Sequence, residues 1–329
     1  MSEMRWHPLL RQWVVTATHR QDRTYKPPKE YCPLCPTAPG AYPTEVPAPE
    51  YEIVVFENRF PSFRPEPPSP DVEGTSLYPV RPAKGVCEVV LYSQDHNKTL
   101  REMPLRHIER LVEVWTDRYI ELGLREEIEY VLIFENKGEA VGVTLHHPHG
   151  QIYAFPFIPP IPKAELDAAD EHRRKTGRCV LCDIVDEESK GPREIWRDEF
   201  FSAYVPFFAR YPYEVHIAVR EHLPSLAEMS AAHRVSLARA IKTVGVAYDH
   251  LFGFSLPYMM VTHQKPTDGK EHPGAHFHVE FYPLNRTADK LKYLAGCESG
   301  AGTFITDMAP ETQAQRLREA LERGKDACE

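Results

Sequence analysis

No stretch of this sequence approaches the roughly 18–20 consecutive apolar residues that cross a bilayer. Its N-terminus, Met1-Ser2-Glu3-Met4-Arg5-Trp6-His7-Pro8, has no signal-peptide pattern. The expectation is a cytoplasmic protein with no membrane partner. An excess of basic charge is missing too: 39 Lys and Arg stand against 48 Asp and Glu, a net charge of −9. That balance argues against a nucleic-acid partner, although a nucleotide substrate needs only local positive charge. Neither C-x-x-C pair, Cys32/Cys35 nor Cys179/Cys182, has the thioredoxin-like βαβ context of redox chemistry. In a cytosolic chain the pairs then point to zinc before structural disulfides. Cys87, Cys297 and Cys328 read as free thiols.

What is present is enough chain, 329 residues, for about two domains. Trp13 to Ala17 reads as a strand followed by a basic loop, in which Arg20 and Arg23 could clamp phosphates. Residues 26–82 hold 15 of the 31 prolines, which excludes regular helix and suggests an extended, wrapped segment. Tyr51–Phe56 and residues 86–92 read as strands. Residues 104–122 have the clearest helical pattern, with Pro104 suited to a first helical position and Leu105, Ile108, Val112, Trp115, Tyr119 and Leu122 on one face. Four prolines between Pro156 and Pro162 break the chain. The domain boundary is placed there, giving units 1–158 and 159–329. A polar helix is expected over 163–175 and another over Pro310–Arg323.

The most informative stretch is His146-His147-Pro148-His149-Gly150-Gln151. His147 and His149 share a strand face. Gly150 leaves room for a bulky group to approach the backbone, and Gln151 offers an amide donor on the same face. Taken alone, the stretch suits either a phosphate beside an imidazole or a pair of metal-binding histidines.

An internal repeat divides the two histidines. Cys179-Val180-Leu181-Cys182 matches Cys32-Pro33-Leu34-Cys35, and Glu214-Val215 precedes His222 as Glu88-Val89 precedes His96. Leu226-Ala227-Glu228-Met229 matches Leu100-Arg101-Glu102-Met103, and His233 matches His107. Tyr258-Met259-Met260-Val261 matches Tyr130-Val131-Leu132-Ile133, Gln264-Lys265 matches Asn136-Lys137, and His276-x-His278 matches His147-x-His149. So many agreements in one order argue for duplication. Each half is then an α+β unit, an antiparallel sheet with one long helix. The repeated residues assemble two zinc sets, Cys32, Cys35, His96, His147 and Cys179, Cys182, His222, His276. All four positions of each are filled by protein, so the role is structural. That leaves His149 and His278. His149 is followed by Gly150-Gln151, which suits an anion; His278 is followed by Val279-Glu280, which would repel one.

Asn136-Lys137-Gly138 through His147-Pro148-His149-Gly150-Gln151 resembles the signature of the galactose-1-phosphate uridylyltransferase family, a branch of the histidine-triad superfamily. The likeness extends to Cys32-Pro33-Leu34-Cys35, Asp95-His96-Asn97-Lys98-Thr99-Leu100 and His276-Phe277-His278 with Phe281-Tyr282-Pro283, nearly the whole chain. It implies fused histidine-triad-like domains, a homodimer, and UMP exchange between UDP-glucose and galactose 1-phosphate through a uridylyl-histidine, a step of galactose metabolism (the Leloir pathway). A nucleoside-diphosphate-sugar phosphorylase or adenylyltransferase of the same family is the alternative. The resemblance makes His149 the nucleophile and Gln151 the donor to the transferred phosphoryl group. It puts Asn136, Thr144, Arg20 and Arg23 near the phosphates, with Lys137 able to add positive charge. It puts Leu34, Phe56 and Asn58 around the uridine. Lys292 and Glu298 resemble a segment that a partner subunit contributes to the sugar pocket. Some relatives carry iron on residues that correspond here to Glu165, His263, His276 and His278, and lack the second C-x-x-C. Because Cys179 and Cys182 are present and thiolates favour zinc, zinc is expected at the second site in preference to iron. Arg59 stands where some relatives have an acidic residue.

Overall fold

A computed structural model describes residues 2–22, 32–38, 40 and 43–327. Its strands are β1 (Glu3–His7), β2 (Gln12–Thr16), β3 (Val54–Glu57), β4 (Val80–Pro82), β5 (Val86–Leu91), β6 (Tyr130–Lys137), β7 (His149–Phe155), β8 (Glu194–Arg197), β9 (Phe201–Tyr204), β10 (Val215–Val219), β11 (Tyr258–His263) and β12 (His278–Pro283). Its α-helices are α1 (Leu105–Gly123), α2 (Pro160–Thr176), α3 (Val180–Glu188), α4 (Ala231–Leu251), α5 (Gly296–Ala301) and α6 (Pro310–Arg323). The architecture is α+β, with antiparallel sheets and one long helix per half.

The repeat could not show how the halves meet. They share a nine-stranded sheet, in the order β3-β5-β7-β6-β11-β12-β10-β9-β8. The join is β6 against β11, in register from Tyr258↔Lys137 to Val261↔Phe134. A second, three-stranded sheet, β2-β1-β4, is built from the N-terminal segment.

One face of the large sheet carries the main core. Val86, Val90, Val131, Ile133, Ile152 and Ala154 from the first half pack with Ile217, Val279, Phe281 and Met260 from the second, under α1, α4 and α6. The buried stripe of α1 includes Ile108, Val112, Trp115, Tyr119 and Leu122, at the helical spacing the sequence shows. The helix begins at Leu105, with Pro104 as its cap, one residue later than expected. The C-terminal helix α6 buries Gln313, Ala314, Leu317 and Ala320, of which Ala314 and Leu317 join the core.

One local expectation changes, and the two C-x-x-C pairs differ in their local structure. The helix expected over 163–175 starts earlier, because Pro160 and Pro162 occupy its first turn, where a missing N–H costs nothing. Cys182 lies in the first turn of a short helix, α3, capped by Cys179. Its counterpart Cys32/Cys35 lies in a turn.

Candidate active site

β7 carries the central residues. Gly150, Ile152 and Ala154 are buried on the helix-covered face, while His149, Gln151, Tyr153 and Phe155 alternate onto the more open face. Across the sheet, His149 pairs with Leu91, and Gln151 with Val89. Val54 and Phe56 on β3 pair in turn with Leu91 and Val89. Leu34, Val46, Val89 and Leu91 form a buried cluster with Phe56 and Leu145 packed on it. The histidine therefore lies beside an apolar floor.

His149 donates from Nδ1 to the carbonyl oxygen of His147 at 2.7 Å. A carbonyl only accepts, so this bond fixes the proton on Nδ1 and leaves the Nε2 lone pair as the reactive end. Asn58 Nδ2 donates to Gln151 Oε1 at 3.3 Å, and Asn58 Oδ1 accepts from Phe60 N at 2.9 Å. With its oxygen engaged, the glutamine amide has N–H groups to offer an anion. The sequence suggests that Gly150 makes room for a ligand; the structure shows instead that its missing side chain makes room for Tyr92. A Cβ there would lie 2.1 Å from the Tyr92 hydroxyl and 3.0 Å from the Phe134 carbonyl oxygen.

A cleft of about 350 Å³ opens beside His149, lined among others by Asn136, Lys137, Gly138, Lys98, Ser255 and Pro257. Of the residues expected at the phosphates, Asn136 and Lys137 line this cleft. Lys137 Nζ is held 3.2 Å from Asp249 Oδ1 and lies over the Tyr258 ring at 5.0 Å. Arg20 donates to Phe60 O at 3.0 Å, Ser62 Oγ at 3.1 Å and Tyr153 Oη at 3.4 Å, which anchors it near the same strand. Thr144 lies in the segment leading into β7. Arg59 pairs with Glu45 at 3.0 Å. Arg23 and Cys328 lie outside the described residues. Lys292 and Glu298 do not line the cleft. They pair with each other at 2.8 Å, both nearly buried, and the lysine also donates to Ile305 O at 2.6 Å.

Sequence reasoning missed Glu135, Asp249 and the 255–257 segment. Glu135 was visible as the neighbour of Asn136. It is buried, and burial raises its carboxyl to about 7 against the lowering influence of Lys137 and Tyr258. Asp249 and Ser255-Leu256-Pro257 come from the second half across the β6–β11 join, which no local pattern signals.

Among the described residues, three groups of side chains bring donor atoms within 4.8 Å of one another and could hold a metal. The first is Cys32, Cys35, His96 and His147. Cys35 Sγ is 3.5 Å from His96 Nδ1 and from His147 Nδ1. The second is Cys179, Cys182, His222 and His276, with His276 Nδ1 3.4 Å from Cys179 Sγ and 3.5 Å from Cys182 Sγ. In both, the buried histidine turns Nδ1 to the sulfurs and donates from Nε2 to a carbonyl at 2.7 Å: Ser93 O for His147 and Val219 O for His276. Each carbonyl lies three residues before the central histidine of its half. Such a bond orients a metal ligand and fixes its tautomer. Burial lowers His147 to about 4, so the ring is neutral and its lone pair available. The donor chemistry, two sulfurs and two imidazoles, fits tetrahedral zinc.

The third group is Glu165, His263, His278 and Glu280. His276 falls in the second group, and Glu280 in its place completes this third one. Glu165 Oε2 is 2.7 Å from His263 Nδ1, and His278 Nε2 is 3.4 Å from Glu280 Oε1. Burial disfavours charge on His263, but Glu165 and Glu280 outweigh it and raise the imidazole. His278 Nδ1 donates to His276 O at 3.0 Å, as His149 does to His147. The two H-x-H strands thus hold their second histidines by the same hydrogen bond; what differs is the chemistry around those histidines.

Residues 1–159 match the family model described as galactose-1-phosphate uridyl transferase, N-terminal domain, and residues 165–327 match the C-terminal domain of the same family. A galactose-1-phosphate uridylyltransferase of Thermotoga maritima is 41% identical over 320 residues, covering 97% of this chain and 98% of that protein. A solved structure of a uridylyltransferase superposes with a TM-score of 0.87 at 34% identity, covering 98% of this chain and 99% of that one. An ADP-glucose phosphorylase from Arabidopsis thaliana with bound ADP-glucose superposes with a TM-score of 0.73 at 23% identity, over 97% of this chain and 98% of that one, a likeness of fold.

Proposed function

The chain belongs to the galactose-1-phosphate uridylyltransferase family, and from that premise we propose that it transfers UMP from UDP-glucose to galactose 1-phosphate through a uridylylated His149. The observation that carries this reading is the His149 hydrogen bond. Nδ1–H is spent on the His147 carbonyl, so Nε2 is the nucleophile. Nε2 attacks the α-phosphorus, the bond to the glucose 1-phosphate oxygen breaks, and UMP remains on the ring. Galactose 1-phosphate then attacks the same phosphorus and regenerates the neutral imidazole, a ping-pong sequence. A sugar phosphate is a weakly basic leaving group, so positioning and charge stabilisation are the protein's main tasks. Gln151 supplies N–H donors. Asn136, Thr144, Arg20 and Arg23 serve the phosphates. Leu34, Phe56 and Asn58 serve the uridine, and Gly150 closes the strand over Tyr92.

We assign zinc to both Cys-Cys-His-His sets. Bound there, the metal ties the proline-rich segment to His147 and α3 to His276, and takes no part in the chemistry. Its consequence for catalysis is indirect: His147 provides both a ligand nitrogen and the carbonyl that orients His149. Units 1–158 and 159–329 are taken as the two domains. The functional form is taken to be a cytoplasmic homodimer, in which the segment that carries Lys292 and Glu298 contributes to the partner's sugar pocket; sedimentation at micromolar concentration tests the dimer.

The test of the function uses UDP-glucose radiolabelled at the α-phosphorus. The unmodified protein should retain acid-labile label and release it to galactose 1-phosphate. His149→Ala should do neither, and exchange surviving in that variant would sink the assignment. Release to inorganic phosphate with ADP-glucose as the better donor would select the phosphorylase reading instead. Metal analysis should give about two zinc per chain; iron found in addition would belong to Glu165, His263, His278 and Glu280.

A further inference from the structure

The four residues of the first Cys-Cys-His-His set come from three separate segments of the chain. Cys32 and Cys35 lie in a turn of the proline-rich segment, in which Cys35 N donates to Cys32 O at 3.3 Å. His96 follows β5, and His147 precedes β7. One hydroxyl reaches all three segments. Tyr51 Oη is 2.7 Å from His147 Nε2, 2.8 Å from Ser93 O and 3.3 Å from Leu34 O. Leu34 stands between the two cysteines, and Ser93 three residues before His96. The Tyr51 ring packs on the buried cluster that contains Leu34 and Leu91, and its backbone N–H donates to Gln94 Oε1 at 3.2 Å. A hydroxyl has one proton and two lone pairs. The proton goes to Ser93 O, the nearer carbonyl. The oxygen can then accept from His147 Nε2–H, which is shared between Tyr51 Oη and Ser93 O, each at 2.7 Å.

We infer that Tyr51 is a positioning residue for the first metal set: its hydroxyl keeps His147 Nδ1 turned to the sulfurs and draws the cysteine turn onto the segments that carry the histidines. The inference rests on the zinc assignment above and goes beyond it, because it makes the two sets unequal. In the second set the C-x-x-C opens α3, where Asp183 N donates to Cys179 O at 3.2 Å. Helical backbone bonds fix those sulfurs. Among the described residues His276 Nε2 has the Val219 carbonyl as its partner and no hydroxyl beside it. The first pair has no helix to hold it, and Tyr51 supplies the tie. A group that orients a metal-binding histidine through its distal nitrogen is worth about tenfold to a hundredfold in metal affinity. The same tie reaches the nucleophile, because the carbonyl of His147 accepts from His149 Nδ1.

The experiment mixes the full-length, zinc-loaded protein with an excess of a chromogenic chelator and follows zinc release with time. Tyr51→Phe keeps the ring and removes the hydroxyl. About half of its zinc should leave about tenfold to a hundredfold faster than in the unmodified protein, with the other half unchanged. In Cys32→Ser, which keeps only the second set, adding Tyr51→Phe should change nothing. Tyr51→Leu removes the ring as well; it should release the same half at least as fast and also melt earlier. Unchanged release in Tyr51→Phe would overturn the inference. So would fast release confined to Tyr51→Leu, which would assign the effect to ring packing, or faster loss of the zinc that remains in Cys32→Ser. An unmodified protein that holds no zinc at the first set would overturn the zinc assignment and the inference with it. Two zinc released as expected, with no label retained from UDP-glucose, would overturn the transfer reading instead.

Discussion

The Tyr92 hydroxyl occupies the space in which a side chain at position 150 would begin, 2.1 Å from where a Cβ would stand. That hydroxyl is buried and has no hydrogen-bond partner among the described residues. The glycine between the nucleophile and its glutamine is thus fixed from below the sheet. Gly150→Ala should cost about 1–3 kcal/mol of stability through overpacking and displace His149 enough to depress exchange. Tyr92→Phe alone should be close to neutral, since it removes an unpaired polar atom. Combined, the two should recover part of the stability lost in Gly150→Ala, read from urea midpoints.

The Cys sets should separate function from stability. Cys32→Ser opens the site that contains His147, whose carbonyl holds His149. It should lose about one zinc and most of its exchange activity. Cys179→Ser should also lose about one zinc and melt earlier, yet keep its exchange rate at temperatures where it remains folded. Metal analysis beside an exchange assay checks both.

Asn58 holds the acceptor end of Gln151. Asn58→Ala frees the amide to turn its oxygen toward the phosphate. The turnover rate should then fall by about tenfold to a hundredfold. Adduct formation in a single turnover gives the measurement.

Glu135 gives a pH dependence with a definite sign. Burial raises its carboxyl from 4.5 to about 7. The unfolded chain ionises first, so stability contributed by the protonated form is lost as pH rises from about 4.5 to about 7 and stays lost above. The difference is about 3 kcal/mol at full extent. Glu135→Gln should gain stability relative to the unmodified protein between pH 6 and pH 8, and a gap that narrows over that range would refute the assignment.

Much of this was legible in the sequence because the repeat put equal residues at equal places. Both Cys-Cys-His-His sets assemble from residues scattered over about a hundred positions, and spacing alone named them. The helix face of α1 followed from its period. What stayed hidden depended on contacts between halves. Lys137 reads as a free cation in the sequence, and only the β6–β11 join reveals Asp249 as its partner. Gly150 reads as an opening for a ligand, because nothing near it in the chain announces Tyr92. His276 looked contested between two metal sites until Glu280 was found beside His263 and His278.

The β6–β11 join has one further consequence. These strands are counterparts in the repeat, and they lie antiparallel, with Phe134 facing Val261. A half-turn about an axis between them exchanges one strand for the other, the symmetry of an isologous dimer interface. The chain thus carries such an interface inside itself, made permanent by a covalent link. Two separate copies must share every substitution, whereas two fused copies need not. One could keep a glutamine beside its histidine while the other took a glutamate, and the pairing that joins them would be untouched.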